Sequence, residues 1–552
     1  MELPFRDVVN ALKTRYPASQ ILDQISHRRS HCSHTSKLSP IVFYCVLVAV
    51  MAILHTDLAT GIGLIGGLAL LATGLGFYVL VRAIYGVFFH PLSKVPGPKL
   101  YAITQLPYLY YLTRGRWVYR LKELHDQYGP VVRYTPTDVS FITADAYKTI
   151  YGHKTGGAKE FDKDLRIYRQ NRPAQNLIVS KHEDHKRQRK LLSHAFSHKA
   201  LRGQEDLLKR YVDLFVERLT QKAREGEAVD MVAWYNFATF DLIGHLALGQ
   251  PFGCLETGKY HPWVSKIFGS IKAIAYSQAA IRLGLRNWMA TFTPAHLMKA
   301  AKEHFEFTEH AAGARLDVKD TNSQDFMSYI LRYNDERGMS RPEIIENASL
   351  LIVAGSETTA TLLSGVTYQL LTNPEKYDKL VDEIRSSFST EDEITATRVD
   401  QQKYLLAVLS EGLRMYPPVP GALARVTPRG GEFVEGYWMP ENTGVSVPQL
   451  PAYSSSTNFK NPQEFVPERW LDDPLYANDS RAVLQPFSMG PRDCIGKNLA
   501  YVEMRLLLTR LLWKFDVEIM PESRNWGDQN IYLLWEKSNL QVKLTEAVRE
   551  SK

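Results

Sequence analysis

The segment FSMGPRDCIG, residues 487–496, brings a thiol, a cation and glycines close together. It matches the pattern F-x-x-G-x-R-x-C-x-G at its fixed positions, Phe487, Gly490, Arg492, Cys494 and Gly496. A run typical of a helix, 497–512, follows at once, and a helix N-terminus lowers the pKa of a thiol. We therefore expect Cys494 to be a thiolate. Gly490 and Gly496 would leave room for a flat, bulky group beside it, and Phe487 would shield the sulfur from water.

A lone cysteine is more often a small buried apolar residue than a ligand. For Cys494 this interpretation competes with a ten-residue pattern that is matched throughout. The pattern favours a chemical role.

A second group of polar residues interrupts a long helical pattern. Ser340 to Glu343 has the S-x-x-E form of a capping box, and the pattern then continues to Pro374. Its middle contains Ala354, Gly355, Glu357 and Thr358. A glycine lowers helix stability by about 1 kcal/mol relative to alanine, and a threonine can bond back to a carbonyl one turn earlier. These residues predict that something packs against the middle of this helix.

Two further motifs are weak alone. Glu411 and Arg414 form an E-x-x-R pair on a predicted helix, 401–415, and Arg469 stands in the sequence Pro467-Glu468-Arg469-Trp470. An E-x-x-R pair is usually exposed and contributes about 0.2–0.5 kcal/mol. Their order along the chain, ahead of a complete cysteine loop, makes coincidence a poor explanation.

Together these motifs resemble those of the cytochrome P450 superfamily, over about residues 88–545. The resemblance implies that Cys494 is the axial ligand of the iron of haem b. It also implies that Ala354 and Gly355 lie against the haem, and that Glu357 and Thr358 deliver protons during oxygen activation. Glu411, Arg414 and Arg469 would form a buried ion network behind the haem. The segment HPLSKVPGPKL, residues 90–100, is similar to that of filamentous-fungal members that modify secondary metabolites.

The resemblance also suggests ligands for the haem propionates. His185 and Arg189 occupy the positions of the family's W-x-x-x-R motif, with histidine in place of tryptophan. A histidine can still donate a hydrogen bond to a carboxylate. Arg425 and Arg492 resemble further propionate ligands. The alternative for His185 and Arg189 is a solvated basic helix face. The chain departs from the family at 454–457, which leaves the local strand connection open.

Composition is that of a folded globular protein. Of 552 residues, 45% are hydrophobic and 23% charged, and the net charge is +7. No basic run is dense enough to indicate nucleic-acid binding. The cysteines, Cys32, Cys45, Cys254 and Cys494, are scattered and form no CxxC pair, which favours a reducing compartment.

Near the N-terminus, residues 41–54 and 58–81 are free of charged side chains. The second run is long enough to cross a bilayer at about 1.5 Å per residue, whereas the first is marginal. Basic residues flank the pair on both sides, so we expect a hairpin with both ends cytosolic; a single pass remains open. The predicted domains are an extension (1–40), a membrane anchor (41–88) and a haem-thiolate catalytic domain (89–552). The location expected is the endoplasmic reticulum membrane, with the catalytic domain facing the cytosol.

The predicted fold is mainly α with a minor β portion, a cytochrome P450 fold preceded by one or two transmembrane helices. A β-hairpin is expected at 131–142, around a turn at 135–138. Helices should dominate from 180 to 415. Strands should return near 432–449, 515–520 and 541–544.

The function implied is monooxygenation: one oxygen atom of O2 enters a lipophilic terpenoid or polyketide-like molecule. Apolar segments at 350–354 and 419–424 would line the pocket. Electrons would come from NADPH through a separate flavoprotein reductase, because the chain shows no dinucleotide-binding motif. The reductase would dock on a basic face comprising Lys186, Arg187, Lys190 and Lys497. The alternatives are a haem-thiolate isomerase or dehydratase that does not use O2, and a non-catalytic haem-binding protein.

Overall fold

The fold is that of a computed structural model, which describes residues 64–548 except 158, 169–173, 286–294, 319–322, 324 and 336. The predicted extension, 1–40, and the first apolar run, 41–54, lie outside the described residues. The chain divides into two units, Met1–His90 and Pro91–Lys552.

In the first unit, helix α1 (Leu64–Ile84) passes into a π-helical turn at Tyr85–Phe89. Its apolar side chains are largely exposed, among them Phe77 and Leu80. Gly66–Phe89, 24 residues long, is apolar enough to cross a membrane, with a mean hydropathy of 1.8 in an 18-residue window. The described part of the second apolar run is therefore helical, as predicted. Arg341–Leu371 has a similar composition but is mostly buried inside the second unit.

The second unit is mainly helical, as predicted. Its helices are α2 (Lys99–Ile103), α3 (Leu106–Thr113), α4 (Trp117–Tyr128), α5 (Ala144–Tyr151), α6 (Leu165–Tyr168), α7 (His182–Ser193), α8 (His198–Gly203), α9 (Glu205–Glu225), α10 (Met231–Leu248), α11 (Cys254–Thr257), α12 (Pro262–Arg282), α13 (Ala295–Asp317), α14 (Phe326–Tyr333), α15 (Arg341–Leu371), α16 (Pro374–Ser387), α17 (Ala396–Val399), α18 (Lys403–Met415), α19 (Gln449–Tyr453) and α20 (Lys497–Lys514). The helix predicted at 401–415 begins at Lys403, and the one predicted at 497–512 continues to Lys514.

The strands are short. They are β1 (Val131–Arg133), β2 (Asp138–Phe141), β3 (Asp162–Lys163), β4 (Val229–Asp230), β5 (Arg425–Val426), β6 (Glu432–Val434), β7 (Tyr437–Met439), β8 (Gly444–Ser446), β9 (Phe515–Ile519), β10 (Asn530–Ile531), β11 (Trp535–Glu536) and β12 (Gln541–Glu546). The predicted hairpin is confirmed, because β1 and β2 pair antiparallel with Val131 opposite Phe141. They belong to a sheet with the order β1-β2-β8-β5-β3, and β12 lies between β4 and β9 in another.

Helix α15 crosses the core and positions the polar residues at its middle. Ser340 and Glu343 form the predicted capping box, which satisfies free N–H groups of the first turn. Helix α10, which is buried on nearly every side, packs along α15. At Gly355 a β-carbon would lie 2.8 Å from Cδ1 of Ile243, so a larger residue would force the Ile243 side chain to move. The glycine therefore allows α10 to pack closely on α15. Helix α10 packs against the middle of α15, which the sequence predicted without identifying the partner.

Candidate active site

The cysteine loop is held by its own backbone. The N–H of Cys494 donates to the carbonyl of Phe487 at 2.8 Å, and the N–H of Asp493 donates to that of Gly490 at 3.2 Å. Helix α20 begins at Lys497, so Cys494 stands just before the helix, as predicted. Cys494 keeps exposed surface although protein atoms surround much of the loop, and the residues on both sides of it are half-buried.

The backbone itself requires one of the two glycines in this loop. Gly490 has a φ of +76°, and a β-carbon there would collide with the carbonyl oxygen of Tyr151. The residue is needed because the loop approaches the backbone after α5 and turns in the left-handed region. At Gly496 a β-carbon would lie 3.8 Å from the ring of Phe196, which is ordinary contact. The backbone thus explains the glycine at 490, while the expectation that the two glycines leave room for a flat group remains a prediction.

The helix N-terminus does not by itself make Cys494 a thiolate. Burial of the loop among protein atoms raises the pKa of the thiol, and this outweighs the N–H of Gly496 and the charges of Arg189 and Lys497, which lower it. The expected lowering is corrected in this respect. A bound metal ion would oppose the effect of burial, because it deprotonates a coordinating thiol outright.

Phe487 lies beside the loop as an aromatic contact for α20. Its ring centroid is 5.1 Å from that of Tyr501, and Nζ of Lys497 lies 5.9 Å from it. The ring is half-buried against the main hydrophobic core. Its proposed shielding of the sulfur remains a prediction.

Three cations and a histidine, which together we call the cation cluster, gather near the loop: Lys163, Arg425, Arg492 and His185. Lys163 on β3 is the direct cross-strand partner of Arg425 on β5. Like charges in such positions repel each other. Arg425 is 4% exposed, and the guanidinium lies 5.2 Å from the ring of Tyr151.

The electrostatics of the cation cluster point to a missing negative charge. Burial, followed by the charges of Arg492 and Lys163, lowers the pKa of His185 to about 3. Burial and the charge of Arg425 lower the pKa of Arg492, against a weaker opposing effect of Glu160 and Asp162. Within the described part of the chain, no carboxylate forms an ion pair with any of the four side chains. An anionic group bound here would relieve this repulsion.

Arg189 does not share this situation. Its Nη2 donates to Oδ1 of Asp493 at 2.5 Å, and Nη1 donates to the Asp493 carbonyl. This contact ties α7 to the cysteine loop. Arg492 also makes an internal contact, a 3.1 Å hydrogen bond to the carbonyl of Ser180, but it pairs with no carboxylate among the described residues.

One face of α15 is open. Between Ile344 and Thr367 the residues that keep exposed surface are Leu350, Val353, Ala354, Gly355 and Thr358. Leu350, Ala354 and Thr358 are four residues apart and therefore share one helix face. The Thr358 hydroxyl donates to the carbonyl of Ala354 at 2.6 Å. The open face is thus apolar apart from one hydroxyl.

Glu357 faces another side of α15. Its side chain is 1% exposed, and it forms an ion pair with Lys537, which is 4% exposed. Nζ of Lys537 also donates to the Thr361 hydroxyl at 2.7 Å. The sequence offered no sign of this lysine, which lies far along the chain.

The ion network predicted around Glu411 is present. Glu411 Oε1 lies 2.7 Å from Nη2 of Arg414 and 3.0 Å from Nε of Arg469, and these three side chains are fully buried. Trp470 Nε1 donates to Glu411 Oε2 at 2.9 Å, and Asp479 pairs with Arg469. Arg414 also donates to the carbonyl of Pro462 at 2.7 Å. Here two acids balance two arginines, and Asp479 is the member that the motifs did not reveal.

The cytochrome P450 family model matches residues 96–544. This chain belongs to the cytochrome P450 family. It is 45% identical over 474 residues to the cytochrome P450 monooxygenase aclL of Aspergillus oryzae, covering 85% of this chain and 96% of the relative. It is 44% identical over 477 residues to the trichothecene C-4 hydroxylase of Trichoderma arundinaceum, covering 84% and 94%. It is 41% identical over 487 residues to the averantin hydroxylase of Dothistroma septosporum, covering 86% and 91%.

As a cytochrome P450 monooxygenase, the chain uses a haem-thiolate cofactor, O2, a redox partner and lipophilic substrates. The described residues fit such a cofactor. Cys494 offers a soft sulfur ligand with exposed surface, and the cation cluster lacks the negative charge that haem carboxylates carry. Lys163 is a cluster member that the sequence did not reveal, because its neighbours Asp162 and Asp164 make it look like part of a solvated turn.

The predicted docking face is altered at one position. Arg187 pairs with Glu343 at 2.5 Å and with Asp184 at 3.0 Å, so its charge is neutralised within the protein. Lys186, Lys190 and Lys497 are exposed. The exposed cations of the predicted docking face are therefore its three lysines.

Proposed function

We propose that this cytochrome P450 is a membrane-anchored monooxygenase that binds haem b and oxidises a lipophilic secondary metabolite. Electrons come from NADPH through a separate flavoprotein reductase. The observation that carries the proposal is the pairing of an exposed Cys494 with a nearby, uncompensated cation cluster. A thiolate for iron and cations for two carboxylates are what a haem requires of a protein.

Cys494 would hold the iron, and Lys163, His185, Arg425 and Arg492 would hold the propionates. His185, whose pKa burial and the neighbouring cations lower to about 3, would serve as a hydrogen-bond donor to a propionate. When bound, the haem supplies O2 activation, and the electron-rich thiolate favours O–O cleavage. Arg189 holds the cysteine loop through Asp493 and has no propionate role in this proposal.

Thr358 and Glu357 are the candidates for moving protons. Thr358 presents the one hydroxyl on the open face of α15 and can exchange its bond to the Ala354 carbonyl for one to water. Glu357 is the adjacent buried acid. A hydroxyl beside a carboxylate can position the water that delivers a proton to oxygen.

The substrate proposed is an apolar polycyclic or terpenoid-like molecule. Leu350, Val353 and Ala354 offer apolar surface on the open face of α15, and 421–423 after α18 are half-buried. Apolar walls with few polar groups suit such ligands. The averantin and trichothecene hydroxylases among the relatives support this class of substrate.

The chain is proposed to reside in the endoplasmic reticulum membrane, with its catalytic domain, 89–552, in the cytosol. Support comes from the exposed apolar surface of α1 and the basic Arg82 in its last turn. Lys186, Lys190 and Lys497 would attract the acidic face of the reductase and steer its approach.

The test is a turnover assay in microsomes of a host that co-expresses this chain and a reductase. Averantin and a trichothecene that lacks oxygen at C-4 belong in the substrate panel. NADPH, O2, hydrogen peroxide and product are measured together for the parent and for Thr358→Ala. We expect the parent to form product with NADPH, and the variant to consume NADPH while product falls and peroxide rises.

Two results would contradict this proposal. Turnover of the parent without NADPH or O2 would indicate an isomerase or dehydratase. Unchanged partition between product and peroxide in Thr358→Ala would exclude the role of Thr358 in proton delivery.

A further inference from the structure

The environment of Glu357 contains a buried charge pair that the motifs do not explain. Oε1 of Glu357 accepts from Nζ of Lys537, while Oε2 is buried without a hydrogen-bond partner among the described residues. Thr361 Oγ1 lies 3.4 Å from Oε1 and accepts from the same lysine. One half of the carboxylate is therefore fixed and the other half is free to form a new bond.

Lys537 is itself held in place. It follows β11, where Trp535 stacks on Tyr416 at 4.1 Å between centroids and donates to the carbonyl of Pro417 at 2.8 Å. Leu540, on its other side, is fully buried and anchored through its N–H to Asp230 at 2.9 Å. The ammonium group is thus presented to α15 by an ordered segment, unlike the mobile end of a surface lysine.

We propose that Lys537 is the positioning residue of Glu357: its ammonium compensates the charge of the buried carboxylate and holds Oε1, leaving Oε2 free to take part in proton transfer. This inference rests on the proposed role of Glu357 in proton delivery. No other cation forms an ion pair with Glu357 in the described residues. Because the side chain is buried, loss of the ammonium would leave a carboxyl group that favours its protonated, neutral form.

The other ionisable groups near Glu357 do not replace Lys537. Burial raises the pKa of Tyr260 and of Tyr416, and the charge of Glu357 raises them further. Both phenols therefore stay neutral across the physiological range. The Thr361 hydroxyl can donate a hydrogen bond but carries no charge.

The direct test is infrared difference spectroscopy of the haem-loaded enzyme at neutral pH. Two difference spectra are recorded. The first is the parent minus Glu357→Gln. The second is Lys537→Met minus the double variant Lys537→Met/Glu357→Gln. We expect the carbonyl band of a protonated carboxyl group only in the second difference, and we expect it to vanish as the pH is raised. The subtraction removes other protonated carboxyls, and Lys537→Arg should behave like the parent. Absence of the band in Lys537→Met would overturn the proposal.

The second readout is the fraction of NADPH electrons recovered as hydrogen peroxide with reductase and O2. We expect Lys537→Met to raise this fraction severalfold, and to add nothing to it in the Glu357→Gln background. Additive effects would show that Lys537 acts independently of Glu357 and would contradict the proposal. If Glu357→Gln alone leaves the fraction unchanged, the proton-delivery role of Glu357 fails, while the infrared result still decides whether Lys537 keeps the carboxylate ionised.

A matched control is the Arg315–Asp325 pair, which is 2.8 Å apart, nearly buried and part of the α13–α14 region. Arg315→Met should lower stability without changing the peroxide fraction. If Lys537→Met fails to retain haem, Lys537→Gln replaces it in both experiments, since it keeps a hydrogen-bond donor but lacks the charge. A carbonyl band in that variant supports the proposal, and its absence contradicts it.

Discussion

The Glu411 network and the cation cluster are both built from buried or half-buried charges, but only in the network are the charges balanced by charges of opposite sign. In the network Glu411 and Asp479 balance Arg414 and Arg469, and backbone carbonyls satisfy the remaining guanidinium N–H groups. In the cluster the cations Lys163, Arg425 and Arg492 lie close to one another and to neutral His185, without a paired carboxylate in the described residues. Buried charges that the protein itself compensates hold the fold together. Buried charges that it leaves uncompensated mark where a ligand of opposite charge belongs.

Breaking the complete network should have the largest effect. Glu411→Gln leaves Arg414 and Arg469 buried with one acid fewer, and removal of one partner of a buried ion pair costs about 3–5 kcal/mol. We expect little folded, haem-loaded protein, measured by urea unfolding and haem absorbance. The control is Glu123→Gln, because Glu123 pairs with Arg120 at 2.6 Å on the surface. That change should cost under about 1 kcal/mol. Equal effects of both variants would show that burial of the network does not matter.

Removing a member of the cation cluster should weaken haem binding and spare the fold. Arg425→Met and Lys163→Met each remove one of two like charges that face each other across β3 and β5. A hydrogen bond between charged groups contributes about 1.5–3 kcal/mol, so haem loss should accelerate about tenfold to a hundredfold. The rate is measured by haem transfer to an excess of a haem-free globin. A loss of stability in the haem-free variants comparable to that of Glu411→Gln would make the cluster structural instead.

Glu503 is a buried acid that forms no ion pair among the described residues, so it extends the comparison to the pH dependence of stability. Burial raises the pKa of Glu503 to about 8, against the hydrogen bond with Thr359. Between about 4.5 and 8 the folded protein keeps a proton that the unfolded chain releases, so rising pH favours unfolding. The parent should lose about 1 kcal/mol per pH unit relative to Glu503→Gln, measured from urea unfolding at pH 6, 7 and 8. Parallel pH profiles of parent and variant would show that Glu503 is ionised in the folded state.

Changes to the Arg189–Asp493 pair should have the smallest effect. They show whether Arg189 is a structural contact or a propionate ligand. It is partly exposed and pairs with Asp493, so Asp493→Asn should lower stability by about 0.2–1 kcal/mol. Arg189→Gln should likewise leave the rate of haem transfer within about twofold of the parent, since less than about 0.4 kcal/mol is at stake. Acceleration equal to that of Arg425→Met would place Arg189 among the propionate ligands after all.

Local patterns predicted the parts of this site that lie close together in sequence. The capping box of α15, the hairpin of β1 and β2 and the position of Cys494 before α20 follow from spacing within a few residues. Lys163 and Lys537 could not be predicted in this way. Lys163 meets Arg425 only because a two-residue strand pairs with a distant one. Lys537 meets Glu357 across 180 residues of chain.

The pKa of Cys494 shows a further limit of local reasoning. Its position before a helix predicts a lowered pKa, but burial of the loop reverses the direction. The glycines show the same limit for steric effects. The Tyr151 carbonyl, which excludes a side chain at Gly490, and Ile243, which crowds Gly355, both come from other elements of the fold.

The most direct test of the account is the absorption spectrum of the reduced enzyme under carbon monoxide, recorded for the parent, Cys494→Ser and Cys254→Ser. Cys254 is the matched control because it is a buried free thiol whose pKa burial raises to about 12, far from the thiolate form. We expect the strongly red-shifted band of a thiolate-ligated haem in the parent and in Cys254→Ser, and its loss in Cys494→Ser. Survival of that band in Cys494→Ser would contradict the assignment of Cys494 as the ligand of the haem iron.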